Sequence, residues 1–366
     1  MSLALAQVID ETSLTDTVHH LVKADLSPIV DAIDSGALYP ADFMRKLGSL
    51  GAFGSHVDLH GVDLNPAIDA MSEVSLVCGS TGFMTWCQDA LVWYIANSDN
   101  AALKNKLLAR VADGAVLGGT GLSNPMKSFF GIEKLKLKGK RVEGGYIVNG
   151  ALPWVSNLGP DHVFGTIFET PDGEKVMFIG DCADPAIELL PCDPFLAMDG
   201  TGTFGLQFRN AFIPDEMVLA HAAMPFVKKI RAGFVLLQAG MGIGIIRDCI
   251  DIMQRTKTSF GHVNKYLTAQ QPEDFSSALT ELENEVQLLA STPFETSDAY
   301  WRRVVEARLQ IGDLTMATAH AAMLHTGARG YMKSHRAQRR MREAYFVGIV
   351  TPATKQLRKM LAEMPA

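Results

Sequence analysis

Four groups of residues in this sequence have types and spacings that could do chemistry. The first lies at 116–159, where a glycine-rich loop carrying Thr120 and Ser123 leads into short alternating strands. A turn then presents Trp154-Val155-Ser156-Asn157. Polar loop residues at both ends of a compact β unit, set between two helical regions, suggest a seat for a planar cofactor. The second group is His56 and His60, at the i, i+4 spacing of a metal pair, with Asp58 between them. The glycines around them argue against a helix and no third ligand is in view, so they read as a solvated loop.

The third group is a basic run, Arg329, Lys333, Arg336, Arg339, Arg340 and Arg342. Its plain reading, and the preferred one, is a wet helix face. The sharper reading is contact with a phosphate of a cofactor or a charged substrate, and a nucleic-acid surface is the weakest of the three. The fourth is Gly240-Met241-Gly242-Ile243-Gly244. It lacks the full dinucleotide-binding spacing and follows a helical pattern rather than a strand, so close helix packing explains it better. Five cysteines, Cys78, Cys87, Cys182, Cys192 and Cys249, have no metal-ligand spacing and read as free thiols in a reducing compartment.

The 366 residues, 48% hydrophobic and 20% charged, describe a globular chain of two or three domains. A net charge of -7 gives no general attraction to nucleic acid. The first residues lack the pattern of a signal peptide, and the most apolar stretch, 233–246, is too short and glycine-rich to span a membrane. These features lead us to expect a cytoplasmic protein with no membrane or nucleic-acid partner.

The elements that must position these residues follow from the hydrophobic period. Val18, Leu21, Val22 and Leu26 share one helix face. Helices are also expected after Pro40, after Pro66, over 81–97 (apolar nearly all round) and over 101–113. From Leu135 the period becomes two. Strands are expected through Val142, at 146–150, 162–168 and 176–179, and from Thr203 to Pro214, in series with no helix between them. From Pro225 the helical period returns, with Leu279, Leu282, Val286 and Leu289 on one face and Val304, Ala307, Ile311 and Leu314 on another. This gives an α+β chain of three parts. They are an N-terminal helical domain at 1–115, a middle antiparallel β-barrel or sandwich at 116–224, and a C-terminal four-helix bundle at 225–366.

That order resembles the acyl-CoA dehydrogenase family of flavoproteins, and four motifs carry the resemblance. Gly144-Gly145-Tyr146-Ile147-Val148-Asn149-Gly150 with Trp154-Val155-Ser156-Asn157 is similar to the family's Gly-x-Tyr-x-Ile-Asn-Gly … Trp-Ile-Thr-Asn. Residues 198–208 with Pro214 resemble its Arg-Gly-Ser-x-Thr … Phe … Val-Pro strands. Gly327-Ala328-Arg329-Gly330-Tyr331 is similar to Gly-Gly-x-Gly-Tyr, and Arg342-Glu343-Ala344 to Arg-Asp-Ala. The resemblance implies FAD. Thr120 and Ser123 would lie by the flavin's pyrimidine edge, Trp154 and Val155 beside the ring, and Ser156 towards N5. It places the adenosine diphosphate half at Lys257, Ser259 and Phe260, with Gly327 and Ala328 of a neighbouring chain, and so implies a homo-oligomer, a dimer or tetramer.

The family's carboxylate base has no counterpart here. Such a base withdraws the α-proton of an acyl thioester while a hydride leaves from the β-carbon. At the two positions where relatives carry that glutamate this chain has Thr351 and Phe234, and the catalytic residues stay unknown. Asp199 is read as a turn aspartate, with a displaced base as the other option. Three readings stay open. One is dehydrogenation of an acyl-CoA, with an electron-transfer flavoprotein as partner. One is a monooxygenase using reduced flavin (FAD, or FMN in a two-component system) from a flavin reductase. The last is a non-enzymatic flavin-fold binding protein.

Overall fold

The computed structural model describes residues 13–57 and 62–364. Helices come first: α1 (Leu14–Leu21), α2 (Val30–Asp34), α3 (Ala41–Ser49), α4 (Asn65–Val77), α5 (Gly79–Asn97), α6 (Ala101–Leu103) and α7 (Ala109–Ala112). Ser13 caps α1 by accepting from the Asp16 N–H, and Pro66 sits in the first turn of α4, where its missing N–H costs nothing. Every residue of α5 except Ala96 is buried, as its apolar circumference requires.

The middle of the chain forms β1 (Gly118–Thr120), α8 (Ser123–Phe129), β2 (Lys138–Val142), β3 (Gly145–Val155), β4 (Val163–Glu169), β5 (Lys175–Asp181), β6 (Ile187–Pro191), β7 (Phe204–Pro214) and β8 (Val218–Ala220). They build one sheet in the order β6-β7-β3-β2-β4-β5-β8, with β1 parallel to β4. The other long pairings are antiparallel. Two expectations need correction. A helix, α8, lies between the glycine-rich loop and the strands that begin near Leu135, where the sequence reading has the loop leading straight into them, since Ser123-Asn124-Pro125 opens a helical turn. The strand at 146–150 also continues without a break to Val155, because Gly150 (φ +128) absorbs a bulge that lets β3 stay paired with β7.

The last part is helical: α9 (Ala223–Leu236), α10 (Ala239–Asn264), α11 (Pro272–Ala290), α12 (Asp298–Thr326), α13 (Arg336–Ile349) and α14 (Thr354–Glu363). The stretch Ala223–Asn264 is apolar and long enough for a membrane span, but 94% of its most apolar window is buried within the protein, as in a core helix. The glycines at 240 and 244 are there for packing. A Cβ on Gly240 would lie 2.6 Å from the Ile68 carbonyl oxygen, and one on Gly244 2.3 Å from that of Ser72, so α10 presses directly on α4.

Candidate active site

The site is built where β1, β3 and α5 meet. Asn157 follows β3 in a left-handed conformation (φ +62) and is fully buried. Its Nδ2 donates to the Gly118 carbonyl (2.6 Å), its Oδ1 accepts from the Tyr39 hydroxyl (2.8 Å), and its N–H donates to the Thr201 carbonyl (2.8 Å). Gln88 of α5 accepts from the Gly118 N–H (2.9 Å) and donates to the Val111 and Val116 carbonyls. A Cβ on Gly119 would lie 2.0 Å from the Ser156 carbonyl oxygen. Part of the glycine-rich stretch therefore serves close approach of two backbones. Asn157 and Gln88 escaped the sequence reading. Asn157 stands in the Trp-Val-Ser-Asn motif, and its tolerance of positive φ was the available signal.

These contacts open a cavity of about 410 Å³ between the sheet and the helices. Thr120, Ser123, Trp154 and Ser156 line one side of it; Phe83 and Trp86 of α5, Phe234 of α9, Phe346 of α13 and Thr351 line the other. The cavity thus brings together four of the proposed flavin contacts and both positions where relatives carry the glutamate. Val155 is buried in the core and does not line it. The hydroxyls are tied in pairs: Thr120 to Tyr94 (2.8 Å), Ser156 to Thr203 (2.6 Å), and Ser123 to Thr351 (3.2 Å). Trp154 leaves its ring 54% exposed, available to a flat partner.

Among the described residues that line this cavity, none is Asp, Glu or His. Lys127 and Arg342 are its only charged lining residues, and both are engaged. Lys127 is 3.2 Å from Glu133, and Arg342 holds both oxygens of Asp34. Asp199 starts a 3-10 turn, accepts from the Phe195 N–H (2.8 Å) and lies outside the lining, as a turn aspartate should. Behind Thr351, Gln238 donates to its carbonyl (2.9 Å), and buried Arg308 donates to Gln238 Oε1 (2.6 Å) and to the Val347 carbonyl (2.7 Å). Burial pulls the Arg308 guanidinium down to about 10, which leaves it cationic at neutral pH.

A second cleft of about 300 Å³ joins Ser259 and Phe260 with Arg255, Thr256, Arg329 and Arg336. Lys257 is ion-paired with Glu273, Gly327 (φ +59) ends α12, and Ala328 sits in the 3-10 turn after it; none of the three lines this cleft.

The wet-face reading of the basic run holds for Arg329 and Lys333, which are exposed, and fails at its centre. Arg339 and Arg340 are buried. Arg340 donates to Asp248 (2.6 Å), Glu343 (2.7 Å) and the Ser75 carbonyl (3.0 Å), while Glu343 accepts from the Gly79 N–H (3.0 Å). Residues 336, 340 and 343 share one helix face; Arg336 and Arg340 both pair with Asp248 of α10, far away in sequence, and Arg340 also with Glu343. The solvated-loop reading fails for His56 as well, which is buried with its Nδ1 3.9 Å from Asp89 Oδ1. Burial lowers His56 to about 4, which leaves it uncharged at neutral pH, and the same burial raises Asp89 well above the usual carboxylate range. Asp58 and His60 lie outside the described residues. All five cysteines are free.

With this geometry in hand, the comparisons give a fold and point to a family. Butyryl-CoA dehydrogenase from Megasphaera elsdenii superposes with a TM-score of 0.87, covering 99% of both chains at 18% identity. A glutaryl-coenzyme A dehydrogenase in complex with glutaryl-CoA does so at 0.79, covering 99% of this chain and 96% of that one at 20% identity. A mitochondrial isovaleryl-CoA dehydrogenase of Oryza sativa subsp. japonica is 28% identical over 69% of this chain, a match that spans 65% of the rice enzyme's length. A mitochondrial short-chain specific acyl-CoA dehydrogenase of Mus musculus is 24% identical over 95% of this chain and 88% of its own. The family model described as the acyl-CoA dehydrogenase N-terminal domain matches residues 10–115. The fold is that of the acyl-CoA dehydrogenases, and the sequence matches support that family for this chain.

Proposed function

We propose that this chain is a flavin-dependent oxidoreductase whose reaction does not rely on a carboxylate to withdraw a proton. The observation that carries this is the cavity itself. It joins Thr120, Ser123, Trp154 and Ser156 to Phe234 and Thr351, with no Asp, Glu or His among the described lining residues. The donor set suits a flavin: hydroxyls at Thr120, Ser123 and Ser156 around an exposed indole, with Gly119 allowing the loop to close against Ser156. Bound flavin would supply hydride or electron acceptance, or oxygen chemistry when reduced. Thr120, Ser123 and Ser156 would orient its ring by hydrogen bonds, and Trp154 would cover one part of it. The arginines beside Ser259 and Phe260 suit a pyrophosphate, which favours FAD over FMN.

The relatives' names support an acyl thioester as the substrate carrier. In dehydrogenation of its CH–CH bond, however, Phe234 and Thr351 offer nothing that takes up the α-proton at neutral pH. The carboxylate-free lining therefore favours a second reading, a monooxygenase using reduced flavin and O2. An electron-transfer flavoprotein would serve the first reading as partner and a flavin reductase the second. A cytoplasmic homo-oligomer, dimer or tetramer, is part of the same proposal. The test is the visible spectrum of the protein, purified and then passed through gel filtration after FAD is added. Bands near about 370 and 450 nm that coelute with the chain are expected. A colourless protein after both steps would sink a resident flavin and with it the dehydrogenase, leaving the two-component monooxygenase, which failure to bind reduced flavin would sink in turn.

A further inference from the structure

We propose that the helix side of the cavity is a binding site for an uncharged aromatic ring of the substrate. The inference rests on the reading of this cavity as the reaction site. Four rings meet there. Phe83 and Trp86 lie nearly parallel at 5.8 Å (interplanar angle 19°), Phe346 meets Phe83 edge-on at 4.5 Å, and Phe234 meets Trp86 edge-on at 5.1 Å. All four line the cavity.

Their orientations are held. Trp86 Nε1 donates to the Phe234 carbonyl (3.3 Å), which ties the indole to α9, and Phe83, Trp86 and Phe234 are each at most 6% exposed. The rings meet one another both stacked and edge-on. An aromatic guest gains from that mixture through the ring quadrupole, whereas an alkyl guest gains only from leaving water. Charge narrows the guest further. With no carboxylate in the lining, a cation finds no counter-charge there; with Lys127 and Arg342 already paired, an anion gains little. The hydroxyl pair of Ser123 and Thr351, at 3.2 Å on the same cavity, can bond one polar atom carried by the ring. Phe234 and Thr351 then have positive roles at the two positions: one supplies ring surface, the other a hydrogen bond.

The ring can arrive free or as the acyl part of a thioester, and matched pairs separate the two. Calorimetry on the FAD-supplied protein would compare 1-naphthol with decahydro-1-naphthol, and phenylacetyl-CoA with cyclohexylacetyl-CoA. Each pair keeps the carbon skeleton and the position of the polar group and exchanges a flat aromatic ring for a puckered saturated one. Apolar burial alone favours the saturated member, because it presents more hydrocarbon surface. The expected result is a preference of roughly tenfold for the aromatic member in at least one pair, from two or more ring contacts. The pair that shows it identifies the carrier. In Phe83→Leu and, separately, Trp86→Leu, that ratio falls to about twofold or less. Equal or reversed affinities in both pairs overturn the proposal, and so does failure of all four compounds to bind. Coelution of FAD is scored separately. Loss of the ring preference with FAD retained leaves the flavin reading standing, and ring preference without FAD retention overturns only the flavin reading.

Discussion

On the sheet side of the cavity, Ser156 is bonded to Thr203 and Thr120 to Tyr94, and Asn157 has its side-chain oxygen and amide engaged. On the helix side the wall is made largely of rings, and the helical parts of the chain, away from the cavity lining, hold polar atoms without partners. Among the described residues, the buried side-chain polar atoms lacking a hydrogen bond belong to His56, Ser75, Thr81, Asp89, His325, Arg339 and Gln356, all in the helical parts. Residues 116–224 contribute none. The difference teaches which wall is the fixed platform and which is the variable one. A satisfied polar network permits one arrangement and resists substitution. A wall of side chains on separate helices can exchange a carboxylate for a phenyl or a hydroxyl without disturbing the platform opposite.

The largest effect should come from reversing that exchange. Thr351→Glu places a carboxylate on the helix wall, and anaerobic bleaching of bound flavin by butyryl-CoA should then speed up by on the order of a hundredfold or more. An unchanged rate in a variant that still holds flavin would mean that the missing base is not what separates this cavity from its relatives.

The unpartnered groups of the helical side make a prediction in pH. Burial depresses His56 from 6.5 to about 4, so the folded chain resists a proton that the unfolded chain accepts. The stability this group contributes is fully present above pH 6.5 and is lost as pH falls from 6.5 towards 4. The loss is about 3 kcal/mol at most. Asp89, raised by the same burial, works in the opposite sense and weakens the fold as pH rises. Thermal unfolding of His56→Leu against the parent chain should therefore show a gap that shifts in the variant's favour between pH 6.5 and 4. Parallel curves would show that His56 is not buried in a neutral state.

On the sheet side, Asn157→Ala removes the bonds to Tyr39 and Gly118 and leaves a non-glycine residue at positive φ. A loss of about 2 kcal/mol is expected, read as a fall in Tm together with weaker FAD retention. A Tm within a degree of the parent would contradict the platform description. Ser156→Ala is milder: the fold stays, and FAD affinity drops by roughly tenfold, one charge-free hydrogen bond's worth. Full affinity would remove Ser156 from the flavin's contacts.

Much of this was legible from side-chain period and type. The switch from a helical to an alternating pattern near Leu135 and back near Pro225 marks the sheet's long strands and the helices that flank them. Thr120, Ser123, Trp154 and Ser156 were singled out together, and they share one cavity. What escaped has physical reasons. The strands β1, β6 and β8 have only three, five and three residues, too few to show a period. The arginines of α13 look solvated because arginine usually is, and the acids that neutralise Arg340 sit partly on α10. His56 looked wet because glycines surround it, and only the fold brings Asp89 and Trp93 around its ring.

The most direct test of the central claim is anaerobic mixing of the FAD-loaded chain with butyryl-CoA, followed at about 450 nm. A cavity with flavin but no carboxylate predicts that the absorbance holds over many minutes. Rapid bleaching in the unmodified chain would show that a base acts there after all, and would contradict the account.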